Sequence, residues 1–413
     1  MAEIKVPFHR AAITKAEEDA VLDVLRSGWL TTGRYALEFE KKFSAAVSGD
    51  DEAKGRAPVI SLAVNSNTSG MILAMEACGV HQGTAVITTP YTFVSTAACA
   101  RHLNADVFFA DVEKDTYSID PDKIEEILKK DSQPGGADGK GSHRIRAIVP
   151  VHIAGNVCNM QRILELAEKY STPENRIRVI EDAAHSFPSP TSLGYAGTIG
   201  DAGVFSFYVT KTITTAEGGM VCTRDPDLAR RMTVMRMHGM DRTTWDRYTS
   251  PRASWEYDII APGYKFNLPD VLAALGCCQV DRAQLFYEQR KRIVEKYNKA
   301  FANLDFIKLP PDGEGNSWHL YLMRISPEKL KITRDEFAKK MQEAGLGISV
   351  HFIPIFHFTY WRELYPDFTA QNYPNAERQY NTTISIPLFP DMTDEQAQLV
   401  IDTVTQIGKE NAS

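Results

Sequence analysis

The 413-residue sequence lacks the features that mark a membrane-spanning or secreted protein. It contains no apolar run long enough to cross a bilayer. Its first residues, MAEIKVPFHRAAITK, lack the long apolar core of a signal peptide. We therefore expect a cytoplasmic protein that does not associate with membranes.

Cysteine pairs are also missing. The chain has six cysteines, and no two of them are separated by two residues, as they are in many metal and redox sites. They are Cys78, Cys99, Cys158, Cys222, Cys277 and Cys278, and most of them lie in apolar surroundings. This favours buried, reduced thiols over a disulfide framework.

Excess positive charge is absent as well. The formal net charge is −7, which argues against a general nucleic-acid-binding surface. With 43% hydrophobic and 24% charged residues, the composition is that of a folded soluble protein. The length suits two or three domains, or one large domain with a small partner.

From about residue 58 the sequence alternates between apolar, strand-like runs and helical runs. Six runs are typical of buried strands: PVISLAV, TAVITTP, ADVFFADV, IRAIVPVHI, IRVIED and AGVFSFYV. Helical patterns such as TSGMILAMEACG and NMQRILELAEKY fall between them. The alternation predicts a mostly parallel sheet covered by helices on both faces, with ligands beyond the carboxyl ends of its strands.

The pattern changes after about residue 283. A long helical run leads to SWHLYLMRI, a helix capped by Thr333 and Glu336, and TISIPLF. We predict a large domain over residues 1–283 and a smaller α+β domain, with an antiparallel sheet, over 284–413. An N-terminal helix within residues 1–30, capped by Thr14 and Glu17, is expected to pack near the small domain.

One lysine stands out in the stretch FSFYVTKTITTAEGG, residues 205–219. Lys211 follows a predicted buried strand, whereas lysine usually belongs on a solvated surface. A desolvated lysine loses its proton more readily and can attack a carbonyl carbon. Lys211 is therefore a candidate nucleophile.

Two further stretches would complete a pyridoxal phosphate site around such a lysine. In VIEDAAHSF, Asp182 ends a strand and could face the ring nitrogen of the cofactor, although a helix N-cap is an equal alternative. In SNTSGM, residues 66–71, a strand passes into a helix whose free N–H groups would favour a phosphate. Alone, SNTSGM would be a turn followed by an N-cap. Ser206 could donate one more hydrogen bond.

Taken in order, these motifs resemble the DegT/DnrJ/EryC1/StrS family of sugar aminotransferases. The resemblance rests on EDAAH followed by GDAGVFSFYVTKTITTAEGGM, and it extends from SGWLTTG to VHFIPIFH, nearly the whole chain. It implies an α/β fold of the type I pyridoxal phosphate (PLP) aminotransferases, with a mostly parallel central sheet and a smaller α+β C-terminal domain. The implied reaction moves an amino group from glutamate to a keto sugar carried on a nucleotide diphosphate.

The resemblance also implies roles for individual residues. Lys211 would hold the cofactor covalently, Asp182 would pair with its pyridinium nitrogen, and His185 would hydrogen-bond its ring hydroxyl. Backbone N–H groups of Thr68 and Ser69, together with Ser206, would bind the phosphate. Phe93, in PYTFVST, would stack on the ring, although a buried core phenylalanine remains an alternative. A satisfied buried histidine is likewise an alternative for His185.

Other residues match regions that bind the substrate or a second subunit. The segment GYKFNLPDVLAALG, residues 263–276, resembles one that crosses a dimer interface. Asn267 would then reach the cofactor phosphate of the partner subunit in a homodimer with shared active sites. Read alone, Asn267 would be a helix N-cap. Trp29, Thr31, Thr32, His351 and His357 match substrate-side regions, with His319 and Tyr321 as weaker candidates. No metal site is expected, because the histidine spacing lacks the other ligands of a zinc site.

Details of the sequence narrow the resemblance further. SGWLTTG, the pair Gly70-Met71, His185 and GYKFN look like the subgroup that aminates carbon 4 of UDP-linked 4-keto sugars. Amination of a dTDP-linked 3-keto sugar or of a cyclitol ketone stays open. So do a PLP sugar dehydratase and a non-catalytic regulator that binds sugar or cofactor on the same fold. The presence of Lys211 argues against the dehydratase, in which this lysine is replaced.

Overall fold

The computed structural model describes residues 4–49, 53–241 and 256–413. Its strands are β1 Ile60–Val64, β2 Ala85–Thr88, β3 Asp106–Phe109, β4 Ile145–Ile148, β5 Arg178–Asp182, β6 Pro190–Thr191, β7 Gly194–Tyr195, β8 Ala202–Ser206, β9 Gly219–Thr223, β10 Ile307–Lys308, β11 Tyr321–Ile325 and β12 Thr383–Ile386.

Helices lie between these strands and at both ends of the chain. They are α1 Lys15–Ser27, α2 Arg34–Ser48, α3 Asn67–Ala77, α4 Ser95–His102, α5 Pro121–Asp131, α6 Met160–Tyr170, α7 Pro226–Arg236, α8 Asp270–Asp281, α9 Ala283–Phe301, α10 Arg334–Glu343, α11 Thr359–Leu364, α12 Pro374–Thr382 and α13 Asp394–Glu410. In the part of the chain that is described, no helix has both the length and the hydropathy to cross a bilayer.

The central sheet of the described residues has seven strands in the order β1-β9-β8-β5-β4-β2-β3. All adjacent pairs from β8 to β3 are parallel, while β9 runs antiparallel to both of its neighbours, β1 and β8. The six predicted strand runs all occur in this sheet, and the expected α/β fold with a mostly parallel sheet is confirmed. The sequence pattern missed β9, which follows the lysine motif directly.

A second sheet lies in the C-terminal part of the chain. Strands β10, β11 and β12 pair antiparallel in that order, and helices α9, α10 and α13 pack in the same region, around a shared apolar core. Helix α10 begins as predicted, with Glu336 Oε2 accepting the Thr333 N–H at 2.8 Å. This is the predicted smaller α+β layer.

The N-terminal residues contact both parts of the molecule. Glu17 Oε2 accepts the Thr14 N–H at 2.9 Å at the start of α1, and Gly28 ends the helix at a φ of 71°. Helix α1 lies against α8, and Arg282, directly after α8, donates from Nη1 to Glu17 Oε1 at 2.7 Å. The residues ahead of the helix instead pair with segment 345–347, just after α10, where the Gly347 N–H donates to Val6 O at 2.8 Å.

The start of α3 sits where strands of the central sheet converge. A Cβ atom on Gly70 would lie 2.6 Å from Val204 Cγ1 and 2.8 Å from Val221 Cγ2. Only glycine allows the first turn of α3 to approach strands β8 and β9 this closely. The packing therefore brings the N-terminus of α3 to the carboxyl end of β8.

Candidate active site

A cavity of about 380 Å³ opens at the carboxyl ends of β1, β5 and β8. That is within the usual range for small-molecule sites. It is lined by Ser66, Asn67, Thr68, Thr92, Phe93, Ser95, Val151, Asp182, Ala184, His185, Ser206, Tyr208, Thr210, Lys211, Glu217, Gly218, His319, His351 and Phe352. Parallel strands direct their carboxyl ends to one edge, so residues far apart in sequence meet here.

Lys211 lies on a tight turn after β8. Its N–H donates to Tyr208 O at 2.9 Å, and its side chain reaches the cavity. Enclosure by protein lowers the pKa of Lys211 to about 8, while the negative charge of Asp182 opposes that shift. An appreciable fraction of Lys211 is therefore neutral near physiological pH, as a nucleophilic amine requires.

Asp182 is the last residue of β5 and is only 4% exposed. Its Oδ2 accepts a hydrogen bond from Thr96 Oγ1 at 2.7 Å, and its Oδ1 accepts from Ala184 N–H at 3.2 Å and from Asn67 Nδ2 at 3.4 Å. Burial raises the pKa of Asp182, and the hydrogen bonds and the charge of Lys211 work against that rise. A cation placed beside this carboxylate would relieve the cost of burying it.

Its neighbour Glu181 has a different function. Glu181 is fully buried and accepts hydrogen bonds from Gly197 N–H at 2.8 Å, Ile199 N–H at 2.7 Å and Gly200 N–H at 2.8 Å. Its other contact is His152 Nε2 at 2.9 Å. Because successive side chains on a strand face opposite ways, Glu181 fixes a loop while Asp182 faces the cavity.

The N-terminus of α3 forms one end of the cavity. Ser66 is the N-cap, and its Oγ accepts the Ser69 N–H at 3.1 Å. Thr68 and Asn67 line the cavity, whereas Ser69 is buried behind them with its N–H already bonded. The amides at the first two helical positions have no intrahelical acceptor, which makes this end suited to a phosphate.

Two more of the predicted cofactor contacts also line the cavity. Ser206 ends β8, and its Oγ accepts the Tyr208 N–H at 3.3 Å. Phe93 is 60% exposed, and its ring lies 6.3 Å from that of Phe352. The alternative of a core phenylalanine is therefore wrong, since a buried core residue would not present its ring to open space.

His185 is held in one tautomer by the backbone. Its Nδ1 accepts the Ala154 N–H at 3.0 Å, and its ring stacks on Phe352 at a centroid distance of 5.8 Å. Burial, together with the charge of Lys211, places the pKa of His185 well below its usual value. The neutral ring therefore carries its proton on Nε2, which can donate to a ligand oxygen.

The two predicted histidines of the VHFIPIFH segment are separated by the structure. His351 lines the cavity, its Nδ1 lies 2.8 Å from Ser385 Oγ, and burial lowers its pKa to about 4. His357 lies outside the cavity lining, with its Nε2 2.7 Å from Glu377 Oε2. Of the weaker candidates, His319 lines the cavity, whereas Tyr321 is a core residue of β11.

A second group of predicted residues clusters away from this cavity. Asn267 Nδ2 donates to Thr32 Oγ1 at 2.6 Å, and Thr32 Oγ1 donates to Leu268 O at 2.7 Å. Trp29 Nε1 donates to Thr32 O at 3.2 Å, and Thr31 O accepts from Asp270 N–H at 3.3 Å. The N-cap of α8 is Pro269, so the alternative of Asn267 as its cap is wrong.

Asn67, Thr96 and Phe352 are site residues that the sequence did not single out. Each acts through a contact with a distant residue: Asn67 and Thr96 with Asp182, and Phe352 with His185. A polar residue one position past an N-cap was the only signal for Asn67. Over residues 4–49, 53–241 and 256–413, no group of three or more metal-ligating side chains is arranged to hold a metal ion.

These residues fit pyridoxal phosphate. The cavity offers a buried carboxylate for a pyridinium nitrogen, an exposed aromatic face for a ring and a helix N-terminus for a phosphate. A lysine of lowered pKa stands in the same cavity. Asp182, Phe93, His185, Thr68, Ser206 and Lys211 would hold the cofactor.

Comparisons with known proteins agree with this geometry. The model of the DegT/DnrJ/EryC1/StrS aminotransferase family matches residues 11–405. The spore coat polysaccharide biosynthesis protein SpsC of Bacillus subtilis is 36% identical over 407 residues, which cover 98% of this chain and 97% of SpsC. The uncharacterized protein MJ1066 of Methanocaldococcus jannaschii is 36% identical over 408 residues, 98% of each chain.

A solved structure resembles the whole fold. It is the PMP form of Spr1654, a candidate sugar aminotransferase from Streptococcus pneumoniae. It superimposes with a TM-score of 0.85 and 29% sequence identity, and the match covers 98% of both chains.

Proposed function

The chain belongs to the DegT/DnrJ/EryC1/StrS aminotransferase family, and from this we propose that it transfers the amino group of glutamate to a nucleotide-linked keto sugar. The cofactor is pyridoxal phosphate. The observation that carries the proposal is that Lys211, with its lowered pKa, shares one cavity with the buried carboxylate of Asp182 and the N-terminus of α3.

Bound pyridoxal phosphate supplies an electron sink and carries the amino group from one substrate to the other. Asp182 would place a negative charge beside the ring nitrogen, and Thr96 and Asn67 fix the orientation of that carboxylate. His185 would donate from Nε2 to an oxygen on the ring, since the Ala154 N–H holds its other nitrogen. Phe93 would cover one face of the ring and shield it from water.

Lys211 moves the proton. Its amine takes the proton from the α-carbon of glutamate in the first half of the reaction and returns one to the former carbonyl carbon of the sugar in the second. A pKa of about 8 suits both tasks, because neither the neutral nor the charged form is strongly disfavoured at neutral pH.

For the acceptor we propose carbon 4 of a UDP-linked 4-keto sugar. The support is the combination of SGWLTTG, Gly70-Met71, His185 and GYKFN, which looks like that subgroup. A relative, SpsC, is named for polysaccharide biosynthesis, and we extend to this chain a place in the synthesis of an amino sugar for a polysaccharide.

We also propose a cytoplasmic homodimer whose subunits share active sites. Asn267, Thr32 and Trp29 form one cluster, with Lys265 Nζ bonded to Asn267 Oδ1, and none of them lines the cavity of their own chain. A second copy would let this cluster, with its cation and its amide, meet the phosphate and the nucleotide sugar in the partner's cavity.

The test of the acceptor is product identification. The purified protein, loaded with pyridoxal phosphate, is incubated with glutamate and with UDP- or dTDP-linked 3-keto and 4-keto sugars in turn. We expect mass spectrometry and NMR to show an amine at carbon 4 of the UDP-linked 4-keto sugar. Preferential turnover of a 3-keto or a dTDP-linked sugar would overturn the proposed acceptor. If none of the sugars is turned over, the proposed transfer to a nucleotide-linked keto sugar is overturned.

A further inference from the structure

His319 lines the cavity and is held in place by several contacts with its neighbours. It is only 3% exposed, and its ring centroid lies 4.4 Å from that of His185. Its carbonyl accepts from Arg290 Nη1 at 3.1 Å, and the next residue, Leu320, donates its N–H to Ala154 O at 3.3 Å. The same short segment is tied to His185, whose carbonyl accepts from Ser317 Oγ at 2.5 Å.

The nitrogen Nδ1 of His319 is buried and has no hydrogen-bond partner among the described residues. Near a positive charge, a ring nitrogen without a hydrogen-bond partner has a lower free energy when it is unprotonated than when it carries a proton. Burial lowers the pKa of His319 most, and the charges of His185, Lys211 and Arg290 lower it further, in that order. The neutral ring therefore keeps Nδ1 unprotonated, which puts the proton on Nε2, on the edge left to meet the cavity.

Arg290 itself is unusual. It is 1% exposed, and its Nη1 donates to two carbonyls, those of His319 and Leu388, each at 3.1 Å. Its Nε and Nη2 have no partner, and no carboxylate in the described part of the chain forms an ion pair with it. Burial lowers the pKa of Arg290 only to about 10, so the charge persists at neutral pH. A buried cation without a counter-charge favours an anion nearby.

Lys211 also lines the cavity and is partly protonated at neutral pH. His185, His319 and His351 line it as neutral rings, and the acids Asp182 and Glu217 belong to the same lining. The two substrates differ in where they carry negative charge. In the amino donor, a carboxylate is attached directly to the α-carbon that reacts. The keto sugar carries its negative charge on a diphosphate at the far end of the ring. Since Lys211 must reach the α-carbon proton, that carboxylate comes to lie beside Lys211.

We propose that His319 binds the α-carboxylate of the amino donor through Nε2–H, with Arg290 behind it as a positioning residue. The inference rests on the proposed function, because it takes glutamate as the donor. His319 would make this contact in the first half of the reaction, when the carboxylate of the donor is bound. The contact would be absent in the second half, when the keto sugar occupies the cavity.

The experiment separates the two halves. His319→Phe keeps a flat ring and removes the donor, His319→Leu is a second apolar variant in case the first misfolds, and His319→Gln restores an N–H donor. His102→Gln is the matched control, because that histidine is exposed at the end of α4 and lies outside the cavity. Far-UV circular dichroism checks the folding of each variant.

Three quantities are measured on the cofactor-loaded enzymes. The first is the rate at which glutamate changes the cofactor absorbance, and the second is the rate at which an accepted keto sugar reverses the change. The third is the dissociation constant of 2-methylglutamate, which has the α-carboxylate but no α-proton. We expect His319→Phe and His319→Leu to weaken 2-methylglutamate binding about tenfold or more, in line with loss of a hydrogen bond to a charged group.

The same variants should slow the glutamate half-reaction at subsaturating donor while changing the keto-sugar half-reaction less than about twofold. His319→Gln should recover part of the loss, and His102→Gln should match the wild type. Equal losses in both half-reactions, or unchanged binding of 2-methylglutamate, would overturn the role of His319 and leave the proposed function standing. A wild type whose cofactor does not respond to glutamate would overturn the proposed donor as well.

Discussion

Thr96 Oγ1 donates a hydrogen bond of 2.7 Å to Asp182 Oδ2, although the two residues are 86 positions apart in the sequence. Helix α4 supplies the donor and strand β5 the acceptor. The bond holds a buried carboxylate at a fixed angle to the cavity, where its charge can act on a bound ring. The predictions below follow from this site and from the packing that shapes it.

Asp182→Asn should fold and lose most of its activity. An amide has nearly the same shape but cannot balance a positive ring nitrogen, so the electron sink weakens. We expect a fall in kcat of about 100-fold or more, comparable with the loss of an electrostatic catalytic group. Steady-state rates at saturating cofactor, with folding checked by circular dichroism, measure this. A near-normal rate would reduce Asp182 to a structural residue.

Lys211→Met should change how the stability of the cofactor-free protein depends on pH. The folded pKa of Lys211, about 8, lies below its unfolded value of 10.5. Between these values the unfolded chain binds more protons, so the free energy of unfolding of the wild type should rise with pH there. The rise amounts to about 3 kcal/mol at most.

The variant lacks this titration, so its stability advantage over the wild type should be largest below about pH 8 and shrink towards pH 10.5. Urea unfolding of both cofactor-free proteins at several pH values measures the difference. A difference that stays constant with pH would mean that Lys211 keeps an ordinary pKa.

Gly70→Ala should destabilise the fold, because the added Cβ would lie 2.6 Å from Val204 Cγ1. The clash involves a buried strand, so we expect a loss of about 1–3 kcal/mol despite the better helix propensity of alanine. Combining it with Val204→Ala provides the control. If Gly70→Ala costs as much in the Val204→Ala background as in the wild type, the contact with Val204 is not the cause.

Mixed dimers should test the sharing of sites. Lys211→Ala subunits mixed with Asn267→Asp subunits give hybrids in which one site carries both changes and the other carries neither. Random pairing should therefore restore about a quarter of the wild-type activity. The matched control mixes Lys211→Ala with Asp182→Asn, two residues of one cavity, and should restore none. No recovery in verified Lys211→Ala/Asn267→Asp hybrids would place Asn267 outside the partner's site.

Much of the fold followed from local pattern. The six strand runs, the capping boxes of α1 and α10 and the change of pattern near residue 283 are all encoded in neighbouring residues. Strand β9 was missed because GMVCT follows the lysine motif within a few residues and inserts antiparallel between β1 and β8. Nothing local signals such an insertion.

The site shows a similar division. Lys211, Asp182 and Thr68 stand beside strand ends or helix starts, and the cavity brings them together. Thr96, Asn67 and His319 depend on contacts made only in the folded chain, so composition and spacing could not rank them. Ser69 shows the converse: its N–H was expected at a phosphate, but the Ser66 cap binds it first.

The central claim is that Lys211 holds pyridoxal phosphate and passes the amino group of glutamate onward. The most direct measurement is the absorption spectrum of the cofactor-loaded protein before and after addition of glutamate, with Lys211→Ala beside it. We predict a visible band for the wild type that is lost within one turnover on addition of glutamate, and for Lys211→Ala no band of protein-linked cofactor and no turnover. A Lys211→Ala protein with the same band and normal turnover would contradict the account.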